Sequence, residues 1–203
     1  MTTFSAAVAS DALADFSWDR VFPPERCALP IELEIGTGKG AFILRRALDH
    51  PERNFLGIEW ANEFYRYAVD RMQRRGAQNV RLLRCDAGWF VRQVCPAGSL
   101  AALHVYHPDP WPKKRHHKRR LFEPAFVAAA TSCLQPGARW AVQTDHAEYF
   151  SQIVALLAAE PRLERAEFDD PAWGVSDARL QTNFEIKYLR EGRAIYRIAV
   201  RRK

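Results

Sequence analysis

The sequence predicts an α/β protein built on a mainly parallel sheet with helices on both faces, and three observations carry that prediction. From Ile31 onward, short apolar runs of strand length alternate with amphipathic stretches of helical length. The first run, IELEI, opens directly into the glycine turn Gly36-Thr37-Gly38-Lys39-Gly40 and then into a helical pattern. Finally, 203 residues, of which 48% are hydrophobic, suffice for one good core and one domain. Strands in such a rhythm are buried on both faces and joined by right-handed crossovers.

Taken in order, residues 1–30 lack a clear pattern and read as a loosely attached N-terminal arm, acidic through Asp11, Asp15 and Asp19. Phe16, Trp18 and Phe22 are its candidates for packing on the domain, which spans 31–203. Residues 31–35 are the first strand, and Phe42, Ile43, Ala47 and Leu48 recur at helical spacing after the glycine turn. Residues 54–59 form a second strand, and the helix over 62–75 stops at Gly76. A third strand over 80–86 leads into a short helix ending at Cys95, and 101–106 is the fourth strand. A helix over 121–134 ends before Pro136-Gly137, followed by a fifth strand over 138–144 and a helix over 146–159. Residues 163–168 are a sixth strand and 169–181 a long loop. Thr182-Asn183-Phe184-Glu185 has the spacing of a capping box and Gly192 the position of a C′ glycine, which predicts a helix over 183–191. A hairpin turning at Glu191-Gly192 is the alternative. Residues 195–200 close the chain, and their short connection favours an antiparallel partner.

Composition narrows the function classes. Formal net charge is +6, and Lys113, Lys114, Arg115, Lys118, Arg119 and Arg120 account for that whole excess. A focused patch fits a polyanionic partner, its plain alternative being a solvated basic loop. Cys27, Cys85, Cys95 and Cys133 contain no Cys-x-x-Cys pair, which argues against a disulfide or zinc framework. No stretch reaches the about 18 apolar residues of a membrane span and no leader pattern opens the chain, so a reducing, cytoplasmic setting without a membrane partner is expected. His104, His107, His116 and His117 are close in sequence, but cations surround the last two, and no metal is expected.

The most informative stretch is HVYHPDPWPKKRHHKRRL, residues 104–121. Pro108 and Pro110 fix their own φ and restrict the residue before each, so Asp109 is held between two locked positions. A carboxylate preorganised in this way suits a reaction that develops positive charge. The cationic run behind it would release counterions as it neutralises phosphates.

In an open α/β sheet, ligands bind beyond the C-terminal ends of the strands where strand order reverses. Glu34, Glu59, Asp86 and Asp109 fall at or near four such ends. Singly each reads as a solvent-facing strand-end residue, whereas four in series read as one pocket. Glu59 lies about 20 residues past the glycine turn, where an acid binds ribose hydroxyls. Gly36, Gly38 and Gly40 let a ligand approach the backbone closely. Gly36-x-Gly38-x-x-Ala41 also fits a dinucleotide fingerprint, which keeps an NAD enzyme in contention. Against it stand the missing Tyr-x-x-x-Lys pair of short dehydrogenases and a basic run for which hydride transfer has no use.

Together, IELEIGTGKG, FLGIEW, LLRCDA, HPDPWPKKRHHKRRL, QTDH and TNFE resemble the bacterial tRNA (guanine-N7-)-methyltransferases over residues 31–203, PDPWPKKRHHKRRL being the most specific part. The resemblance implies a Rossmann-like class I methyltransferase sheet of seven strands, one of them antiparallel. It implies S-adenosyl-L-methionine as methyl donor, tRNA as partner and N7-methylguanosine in the variable loop as product. Glu34, Glu59, Asp86 and Asp109 would then contact the donor beside the glycine turn, and Asp109 would be catalytic. Lys113, Asp145 and the segment Thr182, Asn183, Phe184 and Glu185 would bind substrate, and Arg115, His116, His117, Lys118, Arg119 and Arg120 would meet the RNA. Helix capping accounts equally well for Thr182 and Glu185. Two features depart from the family pattern: His107 stands where an aromatic or apolar residue usually precedes Pro-Asp-Pro-Trp, and the arm is short and acidic. Two other functions stay open, a methyltransferase for an exocyclic base amine and a non-catalytic RNA-binding module with the same fold; so does the choice between monomer and homodimer.

Overall fold

A computed structural model of the protein describes residues 5–8, 13, 15–170 and 190–203. Among these residues seven strands form one sheet: β1 Ile31–Ile35, β2 Asn54–Ile58, β3 Val80–Leu83, β4 Leu100–Tyr106, β5 Leu134–Thr144, β6 Leu163–Ala166 and β7 Tyr196–Arg202. Their order is β3-β2-β1-β4-β5-β7-β6. The first five run parallel, and β7 lies antiparallel between β5 and β6. The helices are α1 Trp18–Val21, α2 Ala41–Asp49, α3 Asn62–Arg74, α4 Ala87–Gln93, α5 Pro124–Cys133 and α6 Ala147–Ala159. No helix among the described residues is long and apolar enough to cross a membrane.

Side-chain alternation divides the sheet into two layers. Ile31, Leu33 and Ile35 of β1 join Leu103, Val105, Trp140 and Val142 in a core closed by α4, α5 and α6. Trp140 is fully buried, stacked on Phe122 at 5.7 Å and met edge-on by Phe126 at 6.0 Å. On the other face Phe55, Val80 and Leu82 pack against Ile43, Leu44 and Ala47 of α2 and Ala68 and Met72 of α3. The arm reaches this scaffold too. Ala7 bridges Leu82 in parallel, Phe16 meets Phe90 edge-on at 5.2 Å, and Phe22 is buried under the Arg81 guanidinium. That bridge occupies backbone groups at the outer edge of β3, which an edge strand otherwise offers to other chains.

Most boundaries fall within a residue or two of the sequence reading, and three of the differences have a clear local reason. The helix expected from residue 121 begins at Pro124, because Glu123 is extended (φ −140°, ψ 162°) as a residue preceding proline must be, and Phe122 turns into the core instead. The third strand ends at Leu83 because Asp86 caps α4, its carboxylate accepting from the Trp89 backbone N–H at 2.6 Å. The fifth strand begins at Leu134, which pairs with Leu100 before the exposed excursion through Pro136 and Gly137. The helix expected over 183–191 falls mostly outside the described residues; Arg190 is helical and Gly192 has the left-handed φ of +69°.

The α2 layer contains a buried ionic network around Glu32. Its carboxylate accepts from Arg46 Nε and Nη2 at 2.8 and 3.0 Å, from Arg53 Nη1 at 3.0 Å and from His104 Nε2 at 2.9 Å. Burial alone would raise this carboxyl, but the His104 and Arg46 hydrogen bonds override it and hold it well below the usual carboxylate range. Burial likewise lowers His104, outweighing Glu32, so the imidazole stays neutral. Nε2 therefore carries the proton shared with Glu32, and Nδ1 accepts from the Tyr106 hydroxyl at 3.0 Å.

Candidate active site

The chain runs outward from β1 through β2 to β3 and then crosses back to β4, so strand order reverses between β1 and β4. Ile35 is paired with Val105. The glycine turn after β1 and the Pro108-Asp109-Pro110 turn after β4 therefore leave the sheet side by side, on strands about 4.8 Å apart.

Glu34 points to the same face as Glu32 but at the C-terminal end of β1. It is 4% exposed, and its Oε2 has no hydrogen-bond partner. Burial and then the nearby Glu59 carboxylate push its carboxyl up to about 8, with the Ile43 backbone N–H offsetting only part of this. Thr37 Oγ1, in the turn above it, is buried and unpartnered as well. Glu59 braces the turn, Oε2 accepting from Gly38 N–H and Oε1 from Ala61 N–H, both at 2.8 Å. Gly36 and Gly38 have φ of +77° and +52°, and a Cβ on either would meet nothing within 4 Å. Gly40 differs: a Cβ there would come within 2.6 Å of Met72 Cε, so its role is the packing of α2 on α3. Two unsatisfied buried oxygens, one at the end of β1 and one within the glycine turn that follows it, fit a ligand that brings hydrogen-bond donors or positive charge, and the ammonium and sulfonium of S-adenosylmethionine supply both.

Asp86 caps α4 with one oxygen and is exposed. Asp109 is exposed too, and its direction is set by backbone on either side. His107 (φ 53°) and Trp111 (φ 44°) flank the turn in left-handed conformations, each costing about 1–2 kcal/mol for a non-glycine residue. Compensation is visible on the upstream side. His107 N–H donates to Gln143 O at 2.7 Å, its Nε2 lies 3.1 Å from Gln143 Nε2, and its Nδ1 lies 3.6 Å from Asp145 Oδ1. Asp145, at the end of β5, also accepts from Arg193 at 2.9 Å. So His107 contacts two neighbours, Gln143 on β5 and Asp145 in its exit loop.

Beyond the turn, Lys114–Arg119 form a 3-10 helix with Lys113 at its N-cap. Lys113, Lys114, Arg115, Lys118 and Arg119 are exposed, while His116 and His117 are partly covered. Trp111 is met edge-on by His116 at 5.8 Å and covered by the Arg119 guanidinium at 4.9 Å. Arg120 separates from the run: it is 5% exposed and turned inward onto Pro110, Glu148 and Gln152. Thr182, Asn183, Phe184 and Glu185 lie outside the described residues.

Sequence reasoning passed over two aromatic residues at the rim. Trp60 directly follows Glu59 and is 69% exposed; Trp89, in the first turn of α4 after Asp86, is 41% exposed. Arg84 Nε donates to Trp60 O at 3.4 Å, tying the two loops together. The available signal was a large aromatic beside an acid at a strand end, where burial cannot explain its presence. Glu148 was also missed, having no mark in the sequence beyond its place in the first turn of a helix.

Known proteins share this frame. A family model described as "Putative methyltransferase" matches residues 28–198. The tRNA (guanine-N(7)-)-methyltransferase of Bordetella pertussis is 40% identical over 85% of this chain and 67% of its own length. That of Alkalilimnicola ehrlichii is 37% identical over 86% and 73%. Among solved structures, the aminoglycoside resistance methyltransferase NpmB1 superposes with a TM-score of 0.57 at 16% identity, covering 88% of this chain and 91% of its own. A SAM-dependent O-methyltransferase from Thermotoga maritima gives 0.56 at 17% identity over 85% and 59%. The structural likenesses carry the fold, that of class I methyltransferases, and the sequence likenesses carry the kinship: the chain belongs to the tRNA (guanine-N(7)-)-methyltransferase family.

Proposed function

We propose that this protein methylates N7 of a guanine in the variable loop of tRNA, with S-adenosylmethionine supplying the electrophilic methyl group. The observation that carries the reading is the adjacency of an orphaned, buried Glu34 carboxylate and the Asp109 turn at the ends of neighbouring strands, the turn running straight into an exposed cationic helix. Glu34 and the glycine turn hold the donor, Glu59 shaping the turn and Asp86 lying beside it. Trp60 and Trp89 offer flat apolar faces to a purine ring. Guanine N7 is an acceptor with an in-plane lone pair on the major-groove edge, so no proton has to be removed before it reacts. Asp109 instead stabilises the purine as it becomes cationic, and alignment by the site supplies much of the rate. Lys113 and Asp145 contact the incoming nucleotide, joined by the 182–185 segment. Lys114, Arg115, Lys118 and Arg119 neutralise phosphates.

Labelled methyl transfer to unmodified tRNA, then digestion and nucleoside mass spectrometry, tests this directly. N7-methylguanosine from the variable loop is expected. A methyl on an exocyclic amine would move the chain to another chemistry, and tRNA binding without donor binding would make it a binding module. Asp109→Ala should lower turnover by about 10²–10³-fold with tRNA affinity unchanged; equal loss of both would remove Asp109 from the reacting centre. Arg115→Ala with Lys118→Ala should weaken tRNA binding and flatten the salt dependence by about 0.7–0.9 for each phosphate no longer neutralised. An unchanged slope would take the basic helix out of the interface.

A further inference from the structure

We propose that Arg120 is a positioning residue for Asp109 and not a contact for RNA. Its guanidinium has five N–H donors in a rigid fork; oxygens of the protein accept four of them, and a ring nitrogen lies within reach of the fifth. Nε donates to Pro110 O at 2.8 Å, and Nη1 donates to Glu148 Oε1 at 3.0 Å and Gln152 Oε1 at 2.5 Å. Nη2 donates to Glu148 Oε2 at 2.6 Å and lies 3.1 Å from His117 Nε2. The group also sits over the Tyr149 ring at 4.7 Å. At most one donor is left for a phosphate, and turning outward would break a bidentate carboxylate pair and leave the Pro110 carbonyl without its donor.

What this arrangement does follows from where these bonds end. Pro110 directly follows Asp109, so the Arg120 link to its carbonyl fixes the downstream half of the turn to helix α6 through Glu148 and Gln152. Arg119, one residue earlier, covers Trp111 from outside. Two consecutive arginines thus clamp one turn, one on the aromatic ring and one on the backbone, while the His107 bond to Gln143 O anchors the other half. The same 3-10 helix that presents Lys114 and Lys118 to solvent has as its C-cap the residue that aims Asp109, so docking of a polyanion and placement of the carboxylate are mechanically joined. This rests on Asp109 acting at the reacting centre.

The test compares the wild-type chain with Arg120→Lys, which keeps the charge and loses the fork, and with Glu148→Gln, which keeps Arg120 and weakens its anchor. Single-turnover methyl transfer at saturating tRNA and donor, tRNA affinity across a salt series and the thermal midpoint are measured for each. Arg120→Lys should slow transfer by about 10–10²-fold with tRNA affinity and its salt slope unchanged. Glu148→Gln should act in the same direction by a smaller factor, and the two effects should not add. A slope shallower by about one phosphate would make Arg120 an RNA ligand, and a lower thermal midpoint with an unchanged rate would make it structural only. Either overturns the proposal. Should Arg120→Lys fail to fold, Glu148→Gln decides on the same readouts, its side chain being 59% exposed. A wild-type chain that methylates no tRNA overturns the functional reading as well, whereas variants that match an active wild type overturn this proposal alone.

Discussion

Glu32 and Glu34 stand two residues apart on one strand, face the same side of the sheet and are both buried, yet the protein treats them oppositely. Glu32 accepts four hydrogen bonds from two arginines and an imidazole and is held ionised. Glu34 has an oxygen without a partner and a second carboxylate, Glu59, as neighbour, and burial holds its proton on. The difference is position along the strand. Toward the N-terminal end the layer is sealed by Arg46 of α2 and by Arg53 from the loop that follows it; at the C-terminal end the glycine turn opens the layer. A saturated buried acid is part of the scaffold, whereas an unsatisfied one at the mouth of the sheet is the candidate for a ligand contact.

The largest effect should come from breaking the saturated member. Glu32→Ala leaves Arg46 fully buried without its carboxylate and removes the acceptor of His104, a loss of about 3–5 kcal/mol in urea unfolding. Donor binding per folded molecule should be retained. Glu34→Ala should show the reverse, with donor binding lost and stability little changed or improved, because a buried group with an unsatisfied oxygen is removed. If Glu32→Ala costs less than about 1 kcal/mol, it behaves like a surface pair and the contrast disappears.

A second, smaller effect is read in pH. Because the folded chain holds the Glu34 proton up to about 8 while the unfolded chain releases it in the ordinary carboxylate range, the folded state binds more protons between those limits. Stability assigned to Glu34 is therefore complete below that range and is lost as pH rises toward about 8. A cationic donor favours the ionised form, so S-adenosylmethionine affinity should climb over the same interval and level off above it. Calorimetry in buffers of different ionisation enthalpy should show proton release on binding near neutral pH. Glu34→Gln should abolish both trends, and an affinity independent of pH in the wild-type chain would place the donor's charge elsewhere.

The parallel sheet, its helices and the antiparallel closing strand were legible because strand and helix periodicities alternate cleanly from Ile31 to Ala159 and the last connection is short. The placement of Glu34, Glu59, Asp86 and Asp109 at or after strand ends was legible for a related reason, since strand ends in such sheets are fixed by the pattern itself. What stayed hidden depends on neighbours distant in sequence. IELEI reads as two equivalent glutamates, and only the arrival of Arg46 and His104 at one of them tells them apart. In the basic run every cation looks alike, and the inward turn of Arg120 is decided by Glu148, 28 residues away. The N-terminal arm gave no periodic signal because its described residues attach through scattered contacts, the Ala7 bridge, aromatic rings and the Arg26 hydrogen bonds to Asn54 and Arg53, and not through one amphipathic face.

The smallest effect tests where the scaffold ends and the site begins. Tyr106 belongs to the Glu32 network through His104 Nδ1 and is also the last residue of β4, one step from His107 and three from Asp109. Tyr106→Phe keeps the ring against Phe42, whose centroid lies 4.8 Å away, and removes only the hydroxyl. His104 Nδ1 is then a buried acceptor without a donor, at a cost of about 1–3 kcal/mol in unfolding experiments. If the network is scaffold, that loss should appear in stability while single-turnover methyl transfer at a temperature well below unfolding stays at the wild-type rate. A slowed rate with stability intact would mean that the hydroxyl aims the Asp109 turn, and the two ends of the layer would then be one functional unit instead of two regions with separate tasks.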